Sequence, residues 1–589
     1  MHPMNIGNRN VQDLDGDWGL MPDPMGRAVQ QRWWNSERQS GQFFPSYDED
    51  AFWPTRVPGA FNRIHEKLAY YEGQAVYLHH FETAPVDEGE HCYLHFEGVA
   101  DRCRVFLNGQ YIGEHDGGFI PFTIDATPAL QQTNRLLVYV DNTRQKDGVP
   151  GIRHDWWHDG GIHRPVKLVR VPAVHVREAY LTTRLDGDNV EVKMGTLIHA
   201  PGRDRSFRVN CTLVDPDSGT QVFTTQWEAV AGSWSGTCIS LPRRKVRLWQ
   251  TDDPHLYRLE VSADKDNWCD TVGLRELRTD GRAVMLNGTP IVLRGVCTWT
   301  EDPDRGIFSM SEATARKTLK LLQKLNCNFA RAGHCPPSRE FVRACDRAGI
   351  LVWAEVPAYW IPTMQRPSES RRALHMLDAM VRAFRNNPSV AMWCIGNECL
   401  YNDVESGQSN LDYFLTAADL LHREDPSRLV TYASGSGTLN MTQIYPPQLV
   451  EKVDVISFNS YSGINDGADP EQEDDFQEHE TKIELFSGFG KPVILSEVGI
   501  DAVKGEEGFD YGEARQAEYH TKVQALFAAF AEKGMLQGIT PFVLNDFATP
   551  IKLGRFQAGY NRKGLLTETL EPKQAFDAVR EGYEKLGTL

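Results

Sequence analysis

The sequence predicts a multidomain chain: two β-sandwiches, then an eight-stranded parallel βα barrel. Three observations lead there. At 589 residues the chain is too long for one hydrophobic core, and ordinary domain sizes divide it into about three or four units. Up to about residue 279, short alternating strands are separated by turn residues. Beyond that the rhythm changes to helices alternating with apolar strands, over roughly the 300 residues that one such barrel occupies.

The first unit, residues 1–172, shows strands from about Val76 to Pro172, among them Cys92-Tyr93-Leu94-His95-Phe96 and Leu136-Leu137-Val138-Tyr139-Val140. Asn108-Gly109 and Asp116-Gly117-Gly118 punctuate them as turns. The second unit, residues 173–279, continues the spacing with Phe207-Arg208-Val209-Asn210-Cys211 and Leu256-Tyr257-Arg258-Leu259-Glu260-Val261. Its length of about a hundred residues suits an immunoglobulin-like sandwich. In the third unit, residues 280–589, Ser311 is a helix N-cap with Glu312 behind it and Leu319, Leu322 and Leu325 at helical spacing. The strand around Cys327-Asn328-Phe329-Ala330 follows. A helix over 339–348 and a strand over 350–354 come next. Further helices are expected over 374–384, 411–422, 514–533 and 573–586, and strands over 453–458 and 493–495.

Composition narrows the function. With 41% hydrophobic and 24% charged residues the chain is an ordinary globular protein, and a formal net charge of -18 would repel the phosphates of a nucleic acid. The opening Met1-His2-Pro3-Met4-Asn5-Ile6-Gly7 has no cationic, apolar leader character, and no later run approaches the ~18 apolar residues of a membrane span. No membrane partner is therefore expected. Eleven cysteines, several inside apolar runs, indicate a reducing compartment, so a cytoplasmic location is expected. No C-x-x-C pair or Cys/His cluster has metal-ligand spacing, so neither metal nor cofactor is expected. Cys335 and Cys399 adjoin His334 and Glu398, but no helper histidine for a catalytic thiol is evident.

Two segments carry the chemistry. Ala391-Met392-Trp393-Cys394-Ile395-Gly396-Asn397-Glu398 and Pro492-Val493-Ile494-Leu495-Ser496-Glu497 each read as a buried strand that ends in a carboxylate. In a parallel barrel the C-terminal strand ends line one pocket, so the two Glu residues can face each other across it. Such a pair can cut a glycosidic bond, one carboxyl giving a proton to the leaving oxygen while the other attacks the anomeric carbon. The residues themselves leave open which Glu does which. Taken singly, each could instead cap a helix or pair with an arginine. Asn397 can donate to a sugar hydroxyl beside the reacting carbon. Glu355, ending Val352-Trp353-Ala354, is a third strand-end carboxylate, read as support for the site.

Several motifs in order then resemble one family, the family 2 glycoside hydrolases, and within it the β-glucuronidases. They are Gly117-Gly118-Phe119-Ile120-Pro121-Phe122, His154-Asp155-Trp156-Trp157-His158-Asp159-Gly160, Asn287-Gly288 to Arg294-Gly295, Asn328-Phe329-Ala330-Arg331-Ala332-Gly333-His334, Asn387-Pro388-Ser389 to Asn397-Glu398, and Lys491-Pro492 to Glu497. The resemblance implies a jelly-roll sugar-binding domain, an immunoglobulin-like sandwich and a catalytic (β/α)8 TIM barrel. It implies a retaining, exo-acting hydrolase with Glu398 as acid/base and Glu497 as nucleophile, acting on small-molecule or oligosaccharide glycosides. It places Asp155 at the sugar hydroxyls, His334 and Tyr461 beside the nucleophile, and Asn561 and Lys563 of Asn561-Arg562-Lys563-Gly564 on the carboxylate of a uronic acid. A point charge and a hydrogen-bond donor suit such a carboxylate, although a basic turn beside Gly is by itself a surface feature. His334 could equally be a core imidazole and Tyr461 a packed rim aromatic. Arg331 is read as the partner that keeps Glu497 ionised. A homo-oligomer is expected.

The chain departs from the β-glucuronidase pattern at Thr300-Glu301-Asp302, at Asn459-Ser460-Tyr461-Ser462-Gly463 and at Phe542-Val543-Leu544-Asn545. A galacturonide is therefore a second candidate substrate. The segment after Glu355 is short, which would leave the leaving-group side open to bulky aglycones. The alternatives are a β-galactosidase-like hydrolase of neutral sugars and a carbohydrate-binding relative without catalysis.

Overall fold

The structure, a computed structural model, describes residues 4–35, 48–202, 205–303, 305–360, 367–399, 407–435, 445–461, 476–508 and 511–586. It has the expected layout: two β-sandwiches, then a closed barrel of eight parallel strands. In the first sandwich a six-stranded sheet, including Gln74–Glu82, Thr133–Asp141 and Arg102–Leu107, faces a four-stranded one containing Val166–Pro172 and Glu90–Phe96. Leu94, Phe96, Val105, Leu107 and Val138 fill the space between them. Asn10–Asp13, Gly16–Pro22 and Trp53–Val57 are also strands of these sheets. Sequence reading misses them because two contain Pro and none alternates polar with apolar residues clearly.

The second sandwich packs the three strands His175–Asp186, Asn189–His199 and Trp234–Pro242 over four, with Val192, Val209, Leu213, Leu259 and Trp268 between. A short antiparallel sheet, Leu277–Asp280, Ala283–Leu286 and Thr289–Pro290, follows. Its Leu277, Val284 and Leu286 join the cluster of the barrel interior and plug it from below.

The barrel strands are Leu293–Trp299, Phe329–Gly333, Leu351–Glu355, Val390–Asn397, Leu429–Ser434, Val455–Asn459, Val493–Glu497 and Gly538–Ile539, in closed order. Each is buried on both faces, so the strands read as apolar runs rather than alternating ones. Their side chains still alternate. Phe329, Leu351, Trp353, Met392, Cys394, Val455 and Ile494 share the interior cluster, whereas Ala330, Val352, Ala354, Trp393 and Leu495 pack outward on the helices. Continuing that alternation turns Arg331, Glu355 and Asn459 toward the barrel axis at the C-terminal ends. The expected helices appear as Glu312–Lys324, capped by Ser311, Arg339–Ala348, Pro367–Phe384, Gly407–Glu424, Glu513–Glu532 and Gln574–Leu586. Gly349 at φ 71 closes the second of these, a left-handed position that favours glycine.

The first sandwich is fastened over the barrel mouth. The buried guanidinium of Arg164 donates to the carbonyls of Phe119, Phe308 and Pro336 at 2.7, 2.9 and 2.6 Å. From the same sandwich Trp156 packs edge-on against Tyr359, with ring centres 4.9 Å apart, and near Trp299 at 5.9 Å. This insertion brings the neighbouring Asp155 into the barrel's pocket wall.

Candidate active site

Arg331, fully buried, is the hub. Its Nε and Nη2 donate to Glu355 Oε2 at 3.1 and 3.0 Å, its Nη1 to Glu497 Oε1 at 2.7 Å and to the Ser496 carbonyl at 2.9 Å, and its Nη2 to Asn397 Oδ1 at 2.8 Å. The guanidinium also lies 4.9 Å above the Trp353 ring. Strands two, three, four and seven thus converge on one cation. Glu355 is fully engaged, because it also meets His334 Nδ1 at 2.7 Å and Trp353 Nε1 at 3.0 Å. Against the penalty of complete burial, the charges of Arg331 and His334 hold its carboxyl at about 2. With every oxygen committed, Glu355 has no acceptor left for a substrate.

Both oxygens of Glu497 have partners. Oε1 takes the Arg331 bond and lies 3.7 Å from His334 Nε2, while Oε2 accepts from the Tyr461 hydroxyl at 2.5 Å. Glu398 is built differently. Among the described residues no arginine or lysine pairs with it; Trp360 Nε1 donates to Oε2 at 2.6 Å and Asn459 Nδ2 to Oε1 at 2.8 Å. Burial, and then the negative charge of Glu497, raise its pKa above the usual carboxylate value. Two carboxyls that sense each other's charge therefore sit in opposite surroundings, one beside a permanent cation and one beside neutral donors. Glu398 adopts φ 53 and Trp360 φ 49, left-handed positions that non-glycine residues seldom take. Their mutual hydrogen bond holds both side chains over the pocket. Asn397, beside Arg331, leaves its buried Nδ2 without a partner, a donor available to a ligand hydroxyl.

A second group adjoins the first. Asp155, buried, accepts from Thr549 Oγ1 at 2.6 Å and from Asn561 Nδ2 at 3.3 Å, so both its oxygens are clasped by the hairpin that joins strands Phe547–Ala548 and Tyr560–Asn561. Lys563 Nζ lies 5.5 Å from the Tyr461 ring centre, which links this group to Glu497, and 3.5 Å from Asp501 Oδ2. Arg562 turns away to Asp546 and Glu568, at 3.2 and 2.7 Å.

The structure thus brings Arg331, His334, Glu355, Asn397, Glu398, Tyr461 and Glu497 into one network, with Asp155, Asn561 and Lys563 alongside. Sequence reading missed Trp360, Thr549, Lys552 and Asp501, and it met Asn459 only as part of a departure from the family pattern. None belongs to an apolar run that ends in a carboxylate, the signal that exposed Glu355, Glu398 and Glu497, and none lies in a motif that the family resemblance assigned a role. Of the departures, Glu301 bonds Trp299 Nε1 and Arg63, and Asp302 caps its own loop by accepting from the amides of Arg305 and Ser311. Phe542 faces His334 and Tyr461, at centroid distances of 5.9 and 6.5 Å. Ser462 and Gly463 lie outside the described residues, as do 361–366 in the segment after Glu355. Among the described residues, Asp215, Asp217 and His255 come close enough to share a metal ion, in the second sandwich; Arg247 already meets His255 Nδ1 at 3.3 Å.

Comparison with known proteins adds to this geometry. Three family models match in sequence: the glycosyl hydrolases family 2 sugar binding domain at residues 11–172, glycosyl hydrolases family 2 at 174–275, and the family 2 TIM barrel domain at 277–587. A β-glucuronidase of Paenibacillus borealis is 27% identical, over 100% of this chain and 99% of its own. A β-galactosidase of Thermoanaerobacterium thermosulfurigenes is 28% identical over 72% of this chain and 58% of its own. The solved structure of Bifidobacterium dentium β-glucuronidase complexed with coumarin-3-O-glucuronide superposes with a TM-score of 0.84 at 25% identity, covering 99% of this chain and 98% of that one.

Proposed function

The chain belongs to family 2 of the glycoside hydrolases and is a glycosidase, and from that premise we propose that it removes a terminal β-linked uronic acid by double displacement, with retention of configuration. Glu497 attacks the anomeric carbon while Glu398 delivers its proton to the leaving oxygen. The glycosyl-enzyme so formed cancels the charge of Glu497. Glu398 then loses the repulsion that kept it protonated and can draw a proton from the attacking water. Retention asks for carboxyls roughly 5 to 5.5 Å apart. The observation that carries this reading is the contrast between the two: Arg331 and Tyr461 on Glu497, and neutral donors with a raised pKa on Glu398.

The substrate reading rests on Lys563. Its half-buried ammonium lies beside Tyr461, and so near the reacting carbon, and shares Asp501 with Lys552; a uronate carboxylate would add a counter-charge there that a neutral sugar cannot. Relatives named β-glucuronidase favour a glucuronide. A galacturonide is the second candidate, given the altered residues at Thr300 and Ser460. None of the eleven cysteines is in a disulfide, which accords with a cytoplasmic setting, and no described helix is long and apolar enough to cross a membrane.

A panel of p-nitrophenyl β-glucuronide, β-galacturonide and β-galactoside tests the reading. We expect uronides to be turned over in preference, and Lys563→Ala to raise KM for them by about tenfold to a hundredfold without a like change for the galactoside. A variant that loses nothing on uronides would end the uronate assignment, and a wild type that prefers the galactoside would favour the neutral-sugar alternative.

A further inference from the structure

We propose that Lys552 is a second cation of the sugar pocket, which pairs with the carboxylate of a bound uronic acid alongside Lys563 and so sets the preference for uronides. The inference rests on the uronide reading above. It concerns a residue outside the Asn561-Arg562-Lys563 motif.

Lys552 lies on the hairpin loop between Ala548 and Tyr560, a loop whose two arms clasp Asp155 through Thr549 and Asn561. The loop tip turns apolar residues outward, with Ile551 and Leu553 exposed, while the Lys552 side chain turns inward. Its Nζ comes within 3.8 Å of Asp501 Oδ2, the same oxygen that Lys563 approaches at 3.5 Å. Asp501 cannot follow either lysine, because Gln557 Nε2 donates to Oδ2 and the Arg562 amide to Oδ1, each at 3.2 Å. Among the described residues, the charged groups that act most on Lys552 are Lys563, Asp501 and Asp155. Two half-buried ammonium groups thus lean on one carboxylate oxygen, while the oxygens of Asp155 accept from Thr549 and Asn561 rather than from either lysine. Burial, and next the charge of Lys563, lower Lys552 to about 8. Lys563 moves the other way, because Asp501 and its neighbour hold it charged against its own burial.

A substrate carboxylate placed within reach of both lysines adds a counter-charge to the shared Asp501 and favours the protonated form of Lys552. Uronide affinity is then full below about pH 8 and declines as the pH rises through that value, when Lys552 in the free enzyme gives up its proton. An uncharged sugar offers Lys552 no such stabilisation.

The experiment compares wild type, Lys552→Met, Lys552→Arg and Lys563→Met between about pH 6 and 10. The three nitrophenyl glycosides serve as substrates, or as competitive inhibitors where turnover is slow. For Lys552→Met we expect KM on uronides to rise by about tenfold to a hundredfold, carried by KM rather than kcat, with the galactoside constant unmoved. Lys552→Arg should restore much of the loss, and the rise of KM above about pH 8 expected of the wild type should be absent in Lys552→Met. The proposal is overturned if Lys552→Met leaves uronide KM unchanged, raises the galactoside constant equally, or keeps the wild-type dependence of KM on pH. In those cases Lys563→Met still weakens uronides and the uronide reading stands. A wild type that prefers the galactoside defeats both, and does so before any variant is made.

Discussion

Glu497→Gln is expected to lower kcat by on the order of 10⁴-fold or more on every glycoside tested, with binding of substrate retained. The amide keeps the size of the carboxylate and can still accept from Arg331 or Tyr461, so the pocket keeps its shape. What it loses is the negative oxygen that attacks the anomeric carbon. The same oxygen should be trapped in the wild type by a 2-fluoro glycosyl inactivator, with the adduct found on the peptide that contains Glu497. An adduct on Glu355 or Glu398, or no adduct with an otherwise active enzyme, would sink the assignment.

Glu398→Ala supplies the contrast. Loss of a proton donor slows departure of a poor leaving group by about 10²- to 10⁴-fold but matters little to an activated aryl group, which leaves without help. The kcat/KM values for methyl and dinitrophenyl glycosides on this variant, which report the first step, should therefore diverge by that factor, while kcat falls on both because the attacking water loses its base. Equal losses of kcat/KM on both would mean that Glu398 does not act as the acid. The partners are consistent with this split of roles: burial and the charge of Glu497 raise the Glu398 pKa, while Arg331 sits on Glu497.

The fold was legible because its two halves obey different periods. Apolar runs such as Val352-Trp353-Ala354 and Val493-Ile494-Leu495, set between amphipathic helices, leave little choice but a parallel sheet covered on both faces. Asn10–Asp13 and Trp53–Val57 were not legible, since short strands carrying polar residues or Pro lack that signal. At the site, a carboxylate at the end of an apolar run is conspicuous, and Glu355, Glu398 and Glu497 all announce themselves in that way. Trp360 and Lys552 do not. Each lies in a loop, and its importance arises from contacts with residues 38 and 51 positions away, Glu398 and Asp501. The left-handed backbone at Glu398 and Trp360 is equally invisible in the residue types, because neither is a residue that prefers it. Local sequence marks where charge is buried; only the folded chain shows what answers that charge.

Arg331→Met is expected to be the most destabilising of these substitutions, by about 3 to 5 kcal/mol at neutral pH, because it strands two buried carboxylates at once. Glu355 and Glu497 both lean on this guanidinium, and Glu355 has no solvent to turn to. The pH dependence identifies the cause. In the wild type the Glu355 carboxyl is held at about 2 against an ordinary value of 4.5, so its contribution to stability is present above about 4.5 and is lost as the pH falls toward 2. In Arg331→Met the carboxyl is no longer held down, and that acid-sensitive part of the stability should shrink. Urea unfolding at pH 7 and near pH 3 measures it, with the gap between wild type and variant narrowing in acid. Arg331→Lys should recover only part of the loss, since one ammonium group cannot span Glu355, Asn397 and Glu497 as the planar guanidinium does. A variant as stable as the wild type at neutral pH, or a gap that widens in acid, would show that Arg331 is not what holds the Glu355 carboxyl charged. The explanation of how Glu497 stays available as a nucleophile would then have to be found elsewhere in the pocket.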